Sequence, residues 1–288
     1  MAERNIKLVI EYKGTAFSGW QIQADRSTVQ GEITEAIRQT TGKDVNVLGA
    51  GRTDAGVHAL GQAANFIIDH HIEPEKYRDA LNYYLPDDIR IREAVGVPLS
   101  FHARKDAKYK RYRYVIGRER SALYRDYRWE LGGRGHPSAS LRVTGKEDRV
   151  TEEGERVSDT RGGLLRRVEW PLQVELLRQA AEVIAGEHDF APFCVVASRK
   201  EDNRCVIHHA KWREIGPLLV FEIRGNRFLH NMVRSLVGAM VNLATTDRDR
   251  HPDNLTLARF ADIIHTPSDH RIVFTAPAQG LYLVSVHY

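Results

Sequence analysis

An arginine, a hydroxyl and an acid stand side by side at Arg52-Thr53-Asp54, inside the run Gly49-Ala50-Gly51-Arg52-Thr53-Asp54-Ala55-Gly56-Val57-His58-Ala59. Glycines at 49, 51 and 56 permit backbone conformations that a Cβ forbids and let another molecule approach the main chain. A carboxylate on such a loop, beside a guanidinium, can serve as a nucleophile or a base. Two other Gly-rich chemistries fail here. A dinucleotide fingerprint that begins at Gly49 and Gly51 requires its third glycine where Asp54 stands. A phosphate-binding loop that begins at Gly51 finds Gly56 in register, but Val57 and His58 occupy the places of Lys and Ser/Thr. An acid in that cradle also repels phosphate. Taken alone, the spacing favours an ordinary hairpin loop with a solvated Asp54.

A second group of residues carries a different chemistry. Arg104, Lys105, Lys108, Lys110, Arg111 and Arg113 follow one another closely, with Tyr109, Tyr112 and Tyr114 interleaved, and the pattern continues to Arg128. Basic groups neutralise phosphates and aromatic faces accept unstacked bases, so the cluster reads as a nucleic-acid surface. Each residue singly fits a solvated strand face or a core tyrosine as well. His58, His102, His208, His209 and His230 match no metal-ligand spacing and read as structural histidines. The two cysteines, Cys194 and Cys205, can build neither a disulfide framework nor a thiolate zinc site, which suits a reducing cytoplasm.

The complete string Gly-Arg-Thr-Asp-Ala-Gly-Val-His-Ala resembles the catalytic loop of the tRNA pseudouridine synthase A family. Phe101-His102-Ala103-Arg104 followed by Arg111-Tyr112-Arg113-Tyr114 is similar to that family's second motif. Asn226-Arg227-Phe228-Leu229-His230-Asn231-Met232-Val233-Arg234 resembles the third, and Gly280-Leu281-Tyr282-Leu283-Val284 the C-terminal strand. The resemblance implies Asp54 as the catalytic acid, Arg234 as its partner and Tyr112 as the contact to the target base. It further implies Arg52, Arg104 and Arg111 on the RNA, and Leu281 or Leu283 lining the site. A structural arginine in an apolar helix is the plainer reading of Arg234 on its own. The implied reaction converts uridine to pseudouridine at positions 38, 39 and 40 of the tRNA anticodon stem-loop. It needs no metal or nucleotide cofactor, and the implied partners are tRNA and a second copy of the chain in a homodimer. A non-catalytic RNA-binding protein built on ferredoxin-like units is the rival reading; it gives no reason for an acid in a basic groove.

The elements that must position these residues follow from periodicity. Asn5 to Tyr12, Val45 to Leu48, Gln62 to Ile68 and Ile89 to Val97 read as strands. Thr28 caps a helix with Val29, Ile33, Ala36 and Ile37 on one face, and Pro74 opens another. This order of strand, helix, strand, strand, helix, strand is ferredoxin-like. Beyond the crossing at 101–104 come a strand from Lys108 to Ile116, a helix from Leu172, and paired strands around Gly216-Pro217. An apolar helix from Phe228 to Leu243, a short helix from Leu255 and a closing strand from Leu281 to His287 complete the order. The resulting expectation is the α+β pseudouridine synthase fold: two ferredoxin-like halves, residues 1–103 and 104–288, with antiparallel sheets, flanking helices and a central cleft.

The chain of 288 residues carries a net charge of +4, ordinary for a soluble protein. No apolar run is long enough to cross a bilayer. Met1-Ala2-Glu3-Arg4 leads straight into the first strand without the apolar stretch of a signal peptide, so a cytoplasmic location is expected. Residues 132–163 are polar, rich in Gly, Ser, Thr, Arg and Glu, and longer than the usual family connection. They read as a long flap or a disordered insert, and the expectation taken forward is an RNA-facing flap. Their deletion is expected to weaken tRNA binding in a filter assay; unchanged affinity would remove the flap from the recognition surface.

Overall fold

Strand β1 (Arg4–Tyr12) sets the plan of the molecule, because Ile6, Leu8, Ile10 and Tyr12 alternate onto one buried face. The computed structural model describes residues 2–131, 172–245, 255–266 and 274–288, with the backbone of two short strands at 141–142 and 165–166. After β1 come α1 (Val29–Thr41), β2 (Leu48–Gly49), β3 (His58–Ile68), α2 (Tyr77–Tyr84), β4 (Ile89–Val97) and β5 (Tyr109–Gly117). Short strands β6 (Trp129–Glu130), β7 (Leu141–Arg142) and β8 (Leu165–Arg166) lead to α3 (Val174–Val183) and β9 (Gly186–Asp189). The chain ends with β10 (Arg204–Ile215), β11 (Leu218–Gly225), α4 (Met232–Leu243), α5 (Leu257–His265) and β12 (Leu281–His287). Apart from β7, the stretch 132–163 expected as a flap lies outside the described residues.

Local chemistry explains the first helix. The Thr28 hydroxyl accepts from the Gly31 N–H at 3.3 Å, and Gly42 closes the helix in the left-handed region at φ +70°. Val29, Ile33 and Ile37 are fully buried, as the spacing predicts. Several expected boundaries move by a few residues, two of them beside the Asp54 loop and Arg234. The strand expected over Val45–Leu48 is confined to Leu48–Gly49, where the main chain pairs with Asn65 and Ala64. The helix expected from Phe228 begins only at Met232, because Asn231 takes a positive φ of 64° and turns the chain before it can wind.

The main sheet is a single mixed one, not two antiparallel ones, with β7 and β8 pairing separately. Its order is β4-β1-β3-β12-β5-β11-β10-β9, with β2 beside β3 and β6 beside β5. In the N-terminal half β4, β1, β3 and β2 pair antiparallel, and in the C-terminal half β12, β5, β11 and β10 do so in the same relative order. The closing strand joins them by running parallel to β3, with Tyr282 opposite His58 and Leu283 opposite Ala59. A pairing between strands more than two hundred residues apart leaves no local signal in the sequence.

Helices from both halves cover the same face. Phe66 meets Tyr77 of α2 edge to face at 5.5 Å, while Trp212 packs on Phe221 and its indole N–H points at Met240 Sδ of α4. One apolar core runs beneath them from Ile6 through Leu283. Between the two helical layers the middle of this face carries Tyr12, Ala59, Leu283 and Tyr112 as cross-strand neighbours, and the loop between β2 and β3 sits over them.

Candidate active site

The loop Ala50–Val57 leaves the sheet after β2 and returns as β3, and each part of it is tied down. The Ala50 carbonyl accepts from Lys110 Nζ at 2.8 Å, and the Gly51 carbonyl from Gln62 Nε2 at 2.8 Å. Trp20 N–H donates to the Thr53 carbonyl at 3.0 Å, and the Thr53 and Tyr12 hydroxyls share a 2.7 Å hydrogen bond. That approach requires Gly19, which has φ +93° and where a Cβ would lie 2.6 Å from the Thr53 oxygen. Gly56, at φ +79°, closes a turn in which Val57 N–H donates to the Asp54 carbonyl at 3.1 Å.

His58 anchors the exit. Its Nδ1 accepts from Gly14 N–H at 3.0 Å, so Nε2 carries the proton and donates to the Asp126 carbonyl at 2.9 Å. The ring stacks near Tyr127 and Tyr282, with centroids 5.5 and 4.9 Å away. Burial holds its pKa below the usual histidine range. It is a structural clamp on the loop. Among the described residues no group of three or more His, Cys, Asp or Glu side chains is placed to hold a metal.

Asp54 and Arg234, 180 residues apart, meet in the cleft: Arg234 Nη1 donates to Asp54 Oδ2 at 3.0 Å. The guanidinium also donates through Nε to the Ala276 carbonyl at 2.8 Å and through Nη1 to Asn231 Oδ1 at 3.2 Å. The Ala276 N–H returns a bond to the Arg234 carbonyl at 3.0 Å, so the strap before β12 and the first turn of α4 hold each other. The Asp54 and Arg234 side chains are 22% and 17% exposed, open enough to be reached and dry enough for the pair to matter. His230 Nε2 stands 3.5 Å from the other oxygen, Oδ1.

Tyr112 lies at the floor, opposite Leu283 in register and edge-on to Phe228 with centroids 5.0 Å apart. It is only 8% exposed, and burial, reinforced by Tyr12 and Asp54, raises its hydroxyl pKa. On β12, Leu281 sits opposite Tyr114 and is 5% exposed, and Leu283, opposite Tyr112, is fully buried. Arg52 is exposed at the rim, its Nε donating to Gln21 Oε1 at 3.1 Å, and Arg104 is exposed at the crossing between halves.

Arg111 is not brought to this site. Alternation along β5 puts Tyr112 and Tyr114 on the cleft face and Arg111 and Arg113 on the opposite one. There Glu222 stands 3.7 Å from Arg111, 2.9 Å from Arg113 and 3.8 Å from Arg213. Four neighbours of Asp54 and its loop, in turn, were not assigned to this site from sequence: Tyr12, Lys110, His230 and Asn231. No spacing rule could pick them, since each reaches the site through tertiary contact or, for Asn231, through an unusual backbone angle.

The family model of the tRNA pseudouridine synthases matches residues 8–106 and 180–288, spans that contain Asp54 and Arg234. The chain belongs to the tRNA pseudouridine synthase family. It is 37% identical over 285 residues to tRNA pseudouridine synthase A of Acetivibrio thermocellus, covering 99% of this chain and all of that one. The corresponding protein of Brevibacillus brevis is 36% identical over 99% of this chain and all of its own length, and that of Geobacillus kaustophilus 34% over 99% and 95%. The chain is thus a tRNA pseudouridine synthase, an isomerase, and no described helix is long and apolar enough to cross a membrane.

Arg234→Ala removes one member of the pair while the carboxylate stays in the cleft. Breaking a fully buried pair costs about 3–5 kcal/mol, an upper bound here because both groups keep some solvent. Urea denaturation should show the loss, and turnover should fall with it. Lys110 supplies a second measurable handle. Burial, with Arg104 adding to it, brings Lys110 from 10.5 down to about 8. Between about pH 8 and the usual lysine range the unfolded chain therefore binds more protons than the folded one, and this group's contribution to stability rises with pH. Lys110→Met should flatten the rise when denaturation is compared with the parent between pH 8 and 10.

Proposed function

We propose that the enzyme isomerises uridine to pseudouridine in the anticodon stem-loop of tRNA, at positions 38, 39 and 40, with Asp54 as the attacking carboxylate. The observation that carries this reading is the 3.0 Å contact between Asp54 and Arg234 across the cleft. The reaction breaks the bond from N1 to C1′, turns the uracil in place and joins C5 to C1′. The overall change is an isomerisation, so no group need enter or leave. It requires a carboxylate near the sugar and C6, and walls that keep the detached uracil from diffusing away. Asp54 supplies the first; Tyr112, Leu281 and Leu283 supply the floor.

A paired uridine must be flipped out to reach this floor, at a cost of a few kcal/mol. Contact of the base with an aromatic side chain, worth roughly 1–3 kcal/mol where stacking is full, offsets part of that cost. With Tyr112 only 8% exposed, that contact is partial. Arg52 at the rim takes a phosphate or fills the space left by the flipped base, and Arg104 binds the RNA backbone. The same reading carries the pseudouridine synthase fold of two ferredoxin-like halves, dividing between Ala103 and Arg104. The matching strand order of the two halves supports it. It also carries a cytoplasmic homodimer with tRNA bridging both subunits, supported by the resemblance to the family over nearly the whole chain.

Asp54→Asn should abolish tritium release from tRNA labelled at uridine C5, while binding of the same tRNA persists. Wild-type release by the variant would refute Asp54 as the nucleophile. Binding without release by the parent enzyme would favour a non-catalytic RNA-binding protein.

A further inference from the structure

The two oxygens of Asp54 are treated differently. Oδ2 is held by Arg234, whose guanidinium is itself fixed by Ala276 and Asn231. Oδ1 has His230 Nε2 at 3.5 Å, just outside hydrogen-bond length. The other ring nitrogen, Nδ1, lies 2.9 Å from the Ser198 hydroxyl. Ser198 belongs to a short turn, Val196–Ser198, and the segment before it is fastened to the same histidine by Val195 N–H donating to the His230 carbonyl at 3.3 Å.

These contacts settle the tautomer of a neutral ring. A bare nitrogen lone pair facing a carboxylate oxygen would be repelled, so Nε2 carries the hydrogen toward Oδ1 and Nδ1 accepts from Ser198. The backbone makes the placement specific. Asn231 at φ 64° reverses the chain between His230 and the helix, which lets residues 230 and 234 reach the two oxygens of one carboxylate. The His230 side chain remains 49% exposed at the mouth of the cleft, where a bound nucleotide would shield it from water.

We propose that Ser198 and His230 steer the carboxylate, so that Oδ1 is the oxygen that reacts, and that the His230 Nε2–H stabilises negative charge whenever it returns to Oδ1. When the bond between Oδ1 and the substrate carbon breaks, a pair from the uracil replaces it at that carbon (the new C5–C1′ bond if the carbon is C1′, the restored C5–C6 double bond if it is C6), the broken bond's own pair goes back to Oδ1, and the 3.5 Å contact closes to a hydrogen bond. No proton changes hands in this step. Oδ2 stays with Arg234 throughout. His230 is a positioning residue, acting through Asp54, and Ser198 acts through His230. The inference rests on Asp54 being the attacking group.

The test compares full-length variants on intact tRNA by steady-state kinetics. His230→Ala should lower kcat by about 10- to 100-fold, the range of one hydrogen bond to a charged group, with KM within about threefold of the parent. His230→Gln places an amide N–H near the former Nε2 and should recover most of the rate. His230→Asn places its donor near the former Nδ1, where it meets Ser198 and not Asp54, and should stay slow. Ser198→Ala should fall between His230→Gln and His230→Ala. A Gln variant no faster than the Ala variant, a change in KM alone, or parent-like kcat in His230→Ala would each overturn the proposal. Those outcomes leave the Asp54 assignment standing, because that assignment fails only if Asp54→Asn turns over.

Discussion

The structure depends on one ion pair that spans the join between its halves. Asp54 sits on a loop of the N-terminal half and Arg234 on the first turn of a helix of the C-terminal half, and neither half can hold both. Their 3.0 Å contact requires the two half-sheets to keep a fixed relation, and β12 provides it by pairing with β3 on one side and β5 on the other. The strap before β12 then reaches α4 through Ala276, and the Tyr114 hydroxyl donates to the Pro277 carbonyl at 2.7 Å from beneath. Sheet continuity and the geometry of the acid are thus a single constraint.

A carboxylate in a partly dry cleft is stable only if the groups around it are themselves satisfied. The loop meets that condition by spreading its polar atoms over several elements. Thr53 bonds to Tyr12 and Trp20, Gly51 to Gln62, Ala50 to Lys110, and His58 to Gly14 and Asp126. Lys110 is the most demanding of these, since burial weakens its hold on a proton. A neutral amine still donates to the Ala50 carbonyl, so the anchor survives the loss of charge.

Much of the fold was legible because it is written in short range. The alternation of Ile6, Leu8 and Ile10, the Thr28 cap and the Gly42 stop all act within a few residues. The Asp54 loop was legible as a string, and its pairing with Arg234 only through resemblance, since nothing local links positions 54 and 234. What stayed hidden has long range or unusual backbone. The parallel junction of β12 with β3 is a pairing of distant strands, and the start of α4 is set by one left-handed asparagine. His230 looked like one of several unremarkable histidines, because its distance to Asp54 exists only in the folded chain.

The basic-aromatic strand shows how alternation divides a motif that composition treats as one. Along β5, Tyr112 and Tyr114 go to the cleft face, while Arg111 and Arg113 go with Tyr109 to the other. On that side Arg224 lies over the Tyr109 ring at 5.3 Å, His287 stacks on the same ring at 4.3 Å, and Glu222 gathers three arginines. Burial raises the Glu222 pKa, but the guanidiniums outweigh it and the net effect is a lowering. The arginines are therefore partly neutralised by their own acid, and their positive charge lies behind the sheet from Asp54. Had they shared the cleft face with Tyr112, several guanidiniums would compete with Arg234 for a single carboxylate. Period-two geometry keeps them apart and leaves Asp54 with one fixed cation and one adjustable neighbour.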